Sequence, residues 1–436
     1  MSFKFIGLRN PIRKLYHFTR AVVAQYAAGF PARDMIVIGV TGTKWKTTTV
    51  NLITQWLIDA GESVAMFSTL RTYLGGVWET NNTKMTSADP FTLVRFLKQA
   101  QDLEVKYLVL EVSSHALYYQ RIWGIDFDVA AVTNISQDHL DLHGTMEHYI
   151  RMKLRLFKSL VYAHRKTWVR KVSVVNLDMQ EADRFTGEVS DAVMTYGIRA
   201  DNAQIRAKDI VYREKGVDFT IRMPSVALPI SSKLRGGYNI ENMLCAVTVL
   251  VSQSVSTESI KKTLENFEPL DGRMEEVENN RGLEIYIDYA HTEASLQSVL
   301  HTLHIYKKQD VQLIVLFGAT GDRDRDKRPK MGKVVDKYAD CIILTEDDNY
   351  SEDPLQIISE VAAGIPRKEG EDFWVIFHRH DAIRTAITRA QPGDIILLAG
   401  KWAENVMVTN QGTIEWNDRK VVEEILGEMD KSDIKK

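Results

Sequence analysis

Cysteine is scarce: Cys245 and Cys341 are the only two in 436 residues, and both sit inside apolar runs ("NMLCAVTVL", "DCIILTE"). That excludes a disulfide framework and reads as two buried thiols in a reducing, cytoplasmic compartment. Net charge is lacking too. Lys and Arg total 55 against 58 Asp and Glu, a formal charge of -3, so no whole-molecule field favours nucleic acid or an anionic membrane and any anion site is local. No apolar run approaches the roughly 20 residues of a membrane span. The N-terminus has neither the unbroken apolar core nor the small-residue cleavage site of a signal peptide.

What is present suits a multi-domain globular protein, since 44% of residues are hydrophobic and the length allows more than one core. Residues 1–34 read as a basic amphipathic extension. Ile12, Leu15, Tyr16, Val22, Val23 and Tyr26 fall at helical spacing, with Arg9, Arg13, Lys14 and Arg20 mostly on other faces. The expectation is a helix that docks on the first domain; membrane association, the other use of such a helix, is not expected.

From residue 35, apolar β-rich runs ("MIVIGVTG", "VAMFSTL", "YLVLEVSS", "DVAAVTNI", "VSVVNLD") alternate with helical segments. The fold class is α/β, a central domain over 35–270 with a parallel sheet covered on both faces. Residues 201–230 read as a small antiparallel insertion. A smaller Rossmann-like α/β domain follows over 271–436, the boundary falling at "FEPLDGRME", where Pro269 and Gly272 interrupt a helix.

The stretch "VIGVTGTKWKTTTVNLI" is a strand, a loop and a helix start, the setting of a phosphate-binding loop. Lys46 is placed to neutralise the β and γ phosphates and Thr47 to offer a hydroxyl to Mg²⁺. The pattern G-x-x-x-x-G-K-[ST] nevertheless fails at Val40 and Trp45; the shorter G-T-x-G-K-T fits Gly42, Thr43, Lys46 and Thr47 and misses only position 45. Elsewhere, Glu111 ends an apolar strand, where a carboxylate reaches a metal at the carboxyl edge of a sheet. Asn239 and Asn242 share a helix face, although capping is an alternative use of Asn239.

With "TSADP", "EVSSHAL", "TNISQDHLDLHGTMEHYIRMKLRLF", "GGYNIENMLCA", "DGRMEEV", "DYAHTEASL", "GDRDRDKRPKMG" and "SEDP" following in order, the chain resembles the Mur ligases, ATP-dependent amide ligases of peptidoglycan precursor synthesis, over residues 35 to about 410. It is most similar to the branch that adds the third residue to UDP-N-acetylmuramoyl-dipeptide. The resemblance implies ATP at Gly42, Thr43, Lys46, Thr47, Thr48, Asn239, Asn242, Arg273, Asp288 and His291. It implies two Mg²⁺ ions at Thr47, Glu111, His139 and a CO₂-carbamylated Lys153, with Lys46, Lys153, His139 and Glu111 as the catalytic groups. Substrate contacts are implied at Thr86, Ser87, Ser113, His115, Arg121, Arg323, Lys327, Arg328, Asp347, Asp348 and Glu404, His115 either touching substrate or orienting the strand end. Partners would be a UDP-MurNAc-peptide-like donor and an amino acid acceptor, the protein acting as a monomer.

Three departures stand out. Diaminopimelate-specific members carry D-N-P-R where this chain has Asp347, Asp348, Asn349 and Tyr350, so the diagnostic arginine is absent and the acidic pair becomes a candidate partner for a distal ammonium. Only about 34 residues precede the first strand, where relatives carry a uridine-binding domain; the basic helix, a partner protein or a different donor would fill that role. Trp45 and Trp402 replace family glycines amid otherwise intact motifs. The reading is that both codons are UGA translated as glycine in the source organism. The rivals are a folate- or cyanophycin-type ligase and, if Trp45 is genuine, a non-catalytic nucleotide-binding relative.

Overall fold

The computed structural model describes residues 11–81, 86–401 and 405–434. The chain divides into two units, Met1–Val211 with Gly216–Phe267, and Tyr212–Lys215 with Glu268–Lys436.

In the first unit, β1 (Ile36–Thr41), β2 (Val64–Phe67), β3 (Arg71–Leu74), β4 (Val77–Thr80), β5 (Tyr107–Glu111), β6 (Val129–Val132), β7 (Val172–Asn176), β8 (Ala192–Gly197), β9 (Ile205–Arg213), β10 (Gly216–Arg222) and β11 (Ala227–Ser232) form one sheet. Its order is β11-β10-β9-β8-β7-β6-β1-β5-β2-β3-β4. The five strands from β7 to β2 run parallel and are almost wholly buried, as unbroken apolar runs require when helices cover both faces. Gly39 lets one helix, Met146–Tyr162, approach closely: a Cβ there would lie 2.7 Å from Phe127 and 3.1 Å from Leu156.

Residues 201–230 do form antiparallel structure, β10 against β11. They do not stand apart, because β9 pairs in parallel with β8 and carries the hairpin onto the edge of the main sheet. At the opposite edge β3 and β4 turn antiparallel.

The N-terminal helix, Pro11–Ala28, is where the sequence pattern misleads. Its buried residues are Ala21, Ala24 and Gln25, whereas Ile12, Leu15, Val23 and Tyr26 are exposed. The contact face carries small side chains, aromatic rings and cations: Phe18 meets Trp123 and His17 meets Tyr119, Arg13 and Lys14 lie over the rings of Tyr119 and Tyr118, and Arg20 grips Asp89 through two hydrogen bonds. Among the described residues no helix is long and apolar enough to cross a membrane.

The second unit is built on β12 (Glu275–Val277), β13 (Glu284–Asp288), β14 (Leu313–Phe317), β15 (Cys341–Leu344), β16 (Phe373–Val375) and β17 (Ile395–Ala399). Their order is β12-β13-β17-β14-β15-β16, all parallel except β12. β18 (Val406–Thr409) and β19 (Gly412–Glu415) make a separate hairpin. A buried bidentate pair, Arg379 to Asp418 at 2.8 and 2.6 Å, ties the helix Arg379–Arg389 to the helix Asp418–Ile434.

Candidate active site

β1 and β5 are neighbours, yet the chain leaves β1 toward β2 on one side and leaves β5 toward β6 on the other. Ligand sites of open α/β sheets form at such a switch point, beyond the carboxyl ends of the strands. The loop after β1 opens with Gly42 at φ +148°, where a Cβ would fall 1.9 Å from the Thr133 Oγ1. Thr43 donates its amide to the Asn134 carbonyl at 2.9 Å, and Lys44 donates its amide to the Asn134 side chain at 2.9 Å. The exits of β1 and β6 are thus laced together.

Trp45 then takes φ 66°, ψ 6°, a left-handed conformation that ends the loop and starts the helix Lys46–Asp59. A bulky residue is out of place there. Its indole is stacked on Tyr238, with centroids 5.1 Å apart and planes 15° from parallel. Lys46 turns back and donates to the Thr43 carbonyl at 3.0 Å.

Across the switch point, Thr47 donates its hydroxyl to the Glu111 Oε2 at 3.1 Å, and the Thr69 amide donates to the same oxygen at 2.9 Å. Thr69 also donates to the Thr86 hydroxyl, and Ser87 donates to the Glu111 carbonyl. Behind the loop, Lys153 is 1% exposed. Its Nζ donates to the Gly42 carbonyl at 2.6 Å and lies 4.6 Å from the centroid of the Tyr149 ring. Burial, with Lys46 and Lys44 adding, pushes the Lys153 ammonium well below its ordinary range, against Asp138 and Glu111. The neutral amine is favoured.

His139 sits at φ 53°. Burial, with help from Lys44, Lys153 and Lys46 and opposed by Asp138, lowers it to about 4, so its imidazole is neutral at pH 7. The His115 ring meets it edge-on at 4.6 Å. Ser113 caps the short helix Ser114–Tyr118 by accepting from the Ala116 amide. Arg121 lies beside the N-terminal helix, 3.5 Å from His17 Nε2 and over the Tyr119 ring.

Thr48 is buried at the helix start. Asn239 and Asn242 are joined by a 3.0 Å hydrogen bond. Thr49 donates to Asn242 at 3.3 Å, so the pair links its helix, Gly237–Ser252, to the phosphate-loop helix.

In the second unit, Asp288 ends β13 and accepts from the amides of Met274 and Ala290, each at 2.8 Å. Burial raises it to about 6, against the pull of Arg273. His291 Nδ1 bonds the Tyr289 carbonyl, Lys327 donates to the His291 carbonyl, and Arg273 lies over the Tyr289 ring. Arg323 lies over the Tyr350 ring. Arg328 differs from the sequence expectation of an open cationic loop, for it is wholly buried and held by Glu352 and Glu360. Asp347 and Asp348 are buried as well, and Asp348 accepts from Lys401 at 2.8 Å, so its charge is already answered inside the unit. Glu404 and Trp402 lie outside the described residues.

Glu352 gives a test of this anchoring. Arg328 foremost, with the Asp322 amide and Arg325, holds its carboxyl down to about 2 from 4.5. A depressed carboxylate contributes stability above its unfolded pKa and loses it as pH falls through the folded one. Urea unfolding between pH 4.5 and 2 is expected to show a decline that Glu352→Gln removes, worth about 2 kcal/mol.

Sequence reasoning missed Lys44 and Asp138, paired at 3.0 Å, and the lacing residues Thr133, Asn134 and Ser136. The available signal was position: they follow β6, the strand beside β1, at the same edge.

Comparison with known proteins matches residues 40–250 to the Mur ligase middle domain and 272–402 to the Mur ligase, glutamate ligase domain. The chain is 36% identical over 403 residues to the UDP-N-acetylmuramoyl-L-alanyl-D-glutamate--2,6-diaminopimelate ligase of Geobacillus thermodenitrificans (strain NG80-2), covering 92% of this chain and 81% of the relative. The ligase of the same name from Bacillus cereus is 36% identical, over 96% of this chain and 82% of its own length. A solved structure of a ligase with that name superposes with TM-score 0.63 at 29% identity, covering 96% and 83% of the two chains. Mycobacterium tuberculosis folylpolyglutamate synthase superposes with TM-score 0.70 at 15% identity, over 88% of this chain and 92% of that one, a likeness of fold alone.

Proposed function

The chain belongs to the Mur ligase family, and on that premise we propose that it adds one amino acid to a UDP-N-acetylmuramoyl-dipeptide-like donor, using ATP, in peptidoglycan precursor synthesis. The donor carboxylate attacks the γ phosphorus, ADP leaves, the acceptor amine attacks the acyl phosphate carbonyl, and phosphate departs. The observation that carries this reading is the meeting of Thr47, Glu111 and the buried Lys153 around one phosphate-type loop.

Mg²⁺ fits this edge, because a buried carboxylate and a hydroxyl stand 3.1 Å apart as hard oxygen donors. A Mg²⁺ ion characteristically takes one or two protein ligands and completes its shell with phosphate and water. When bound, it supplies positive charge against the phosphates. Thr47 and Glu111 would hold one ion; neutral His139 and a carbamylated Lys153 would hold a second. The Lys153 amine suits carbamylation: its lone pair forms the N–C bond to CO₂, a C=O electron pair moves to oxygen, and a proton leaves the nitrogen. Lys46 draws off γ-phosphate charge in the transition state.

We further read positions 45 and 402 as glycine. Support comes from the left-handed φ of 66° at Trp45, a conformation glycine adopts freely. UGG at either codon overturns that reading. Incubating the Trp45→Gly, Trp402→Gly chain with ATP, Mg²⁺, bicarbonate, UDP-N-acetylmuramoyl-dipeptide and a panel of amino acids is expected to give, by mass spectrometry, a donor heavier by one residue. No joined product from any amino acid overturns the ligase reading.

A further inference from the structure

Eight tryptophans occur in the chain, and those that are described divide by backbone conformation. Trp45 and Trp168 stand at φ 66° and 67°, whereas Trp56, Trp78, Trp123, Trp374 and Trp416 stay out of the left-handed region. The latter five also use their rings. Trp56 is fully buried and its Nε1 donates to the Ser259 hydroxyl at 2.6 Å. Trp123 packs among Phe18, Tyr26 and Phe30, and Trp416 donates to Asp418 at 2.8 Å. The guanidiniums of Arg71 and Arg389 lie over Trp78 and Trp374.

Trp168 is the opposite case. It is 99% exposed, so its indole is buried against nothing. Its backbone is fixed all the same. The Val169 amide donates to the Lys166 carbonyl at 3.3 Å, closing a four-residue turn whose third residue, Trp168, is left-handed while the second, Thr167, is not. That is type II geometry, in which the third position requires a positive φ and takes glycine or asparagine. Both flanks of the turn are pinned inside the protein. Lys166 donates to Asp128 and to the Asp126 carbonyl, and the buried Lys171 donates to Asp128 and to the Phe127 carbonyl, each at 2.8 Å. The fold therefore imposes the conformation on position 168, and the side chain returns no contact to offset the strain. Phe30, another bulky residue at positive φ, differs in this respect, because its ring packs on Tyr26 and Trp123 and beneath Arg33.

We propose that position 168 is a third glycine of the protein as its source organism makes it, encoded by UGA like positions 45 and 402, and that Trp56, Trp78, Trp123, Trp374 and Trp416 are true tryptophans encoded by UGG. Glycine adopts the left-handed conformation without the Cβ penalty. The proposal rests on the reading of position 45 as a recoded glycine, but it comes from backbone geometry at a position that no phosphate-loop or ligase motif marks.

The codons of the gene are the first test. UGA at 168, with UGG at 56, 78, 123, 374 and 416, is the expected result. UGG at 168 beside UGA at 45 overturns this proposal and leaves the reading of position 45 standing; UGG at both overturns both. UGA at 56, where the ring fills the core, would also overturn the proposal. Stability gives a readout that does not depend on the gene. In the Trp45→Gly, Trp402→Gly chain, Trp168→Gly is expected to raise the melting temperature by about 2–4 °C with ATP turnover unchanged, while Trp56→Gly lowers it. A melting temperature that stays the same or falls on Trp168→Gly would show that tryptophan belongs in this turn, and the proposal would be lost.

Discussion

Trp45→Gly, combined with Trp402→Gly, is expected to raise ATP turnover by on the order of 10²-fold, the scale on which a backbone donor aimed at developing charge matters. Trp45 is held at φ 66° immediately before Lys46, and an L-residue in that region carries about 1–2 kcal/mol of backbone strain. A Cβ at this point also occupies the space a phosphate needs to reach the loop amides. The indole stacks on Tyr238, the neighbour of Asn239, one of the positions expected to meet adenine. The two effects separate by substitution in the Trp402→Gly background. Trp45→Ala removes the ring but keeps the Cβ and is expected to recover part of the turnover, and Trp45→Gly the rest. Equal activity of all three chains would sink this account.

The second large effect is expected at Lys153. Lys153→Met in the glycine-restored chain should lower kcat by about 10²–10³-fold and abolish any dependence on bicarbonate, with a smaller change in KM for ATP. Stability should move the other way. The folded protein holds Lys153 well below its ordinary pKa, mainly by burial. The unfolded chain therefore binds more protons between that lowered value and about 10.4, and stability rises with pH across the window. Removing the amine deletes this term, so the melting temperature of Lys153→Met at pH 7 is expected to rise while activity falls. A variant that keeps bicarbonate-stimulated turnover would show that the carbamate sits elsewhere or is not used.

The strand runs were legible because they are local: "VIGVT", "YLVLE" and "VAAV" are apolar throughout, and only a sheet covered on both faces buries such runs. Lys46, Thr47 and Glu111 were legible because each stands at the end of such a strand or the start of the next helix. Asn134 and Asp138 were not, since a polar loop after β6 looks like any surface loop until β6 is known to lie beside β1. The burial of Asp347, Asp348 and Arg328 was not legible for a related reason. A run of charges in sequence gives no sign of the buried counter-charges, Lys401 and Glu352, that arrive from elsewhere in the unit.

By itself the sequence determined the alternation of strands and helices, the phosphate-type loop and the conflict at position 45, because backbone conformation and hydrophobic period are properties of neighbouring residues. Only the tertiary structure decided which face of each element is covered. The helix Pro11–Ala28 has the same pattern whichever way it turns, and it was the fit of Ala21 and Ala24 beneath it, with Tyr118, Tyr119 and Asp89 to receive its cations, that left Leu15 and Val23 facing water.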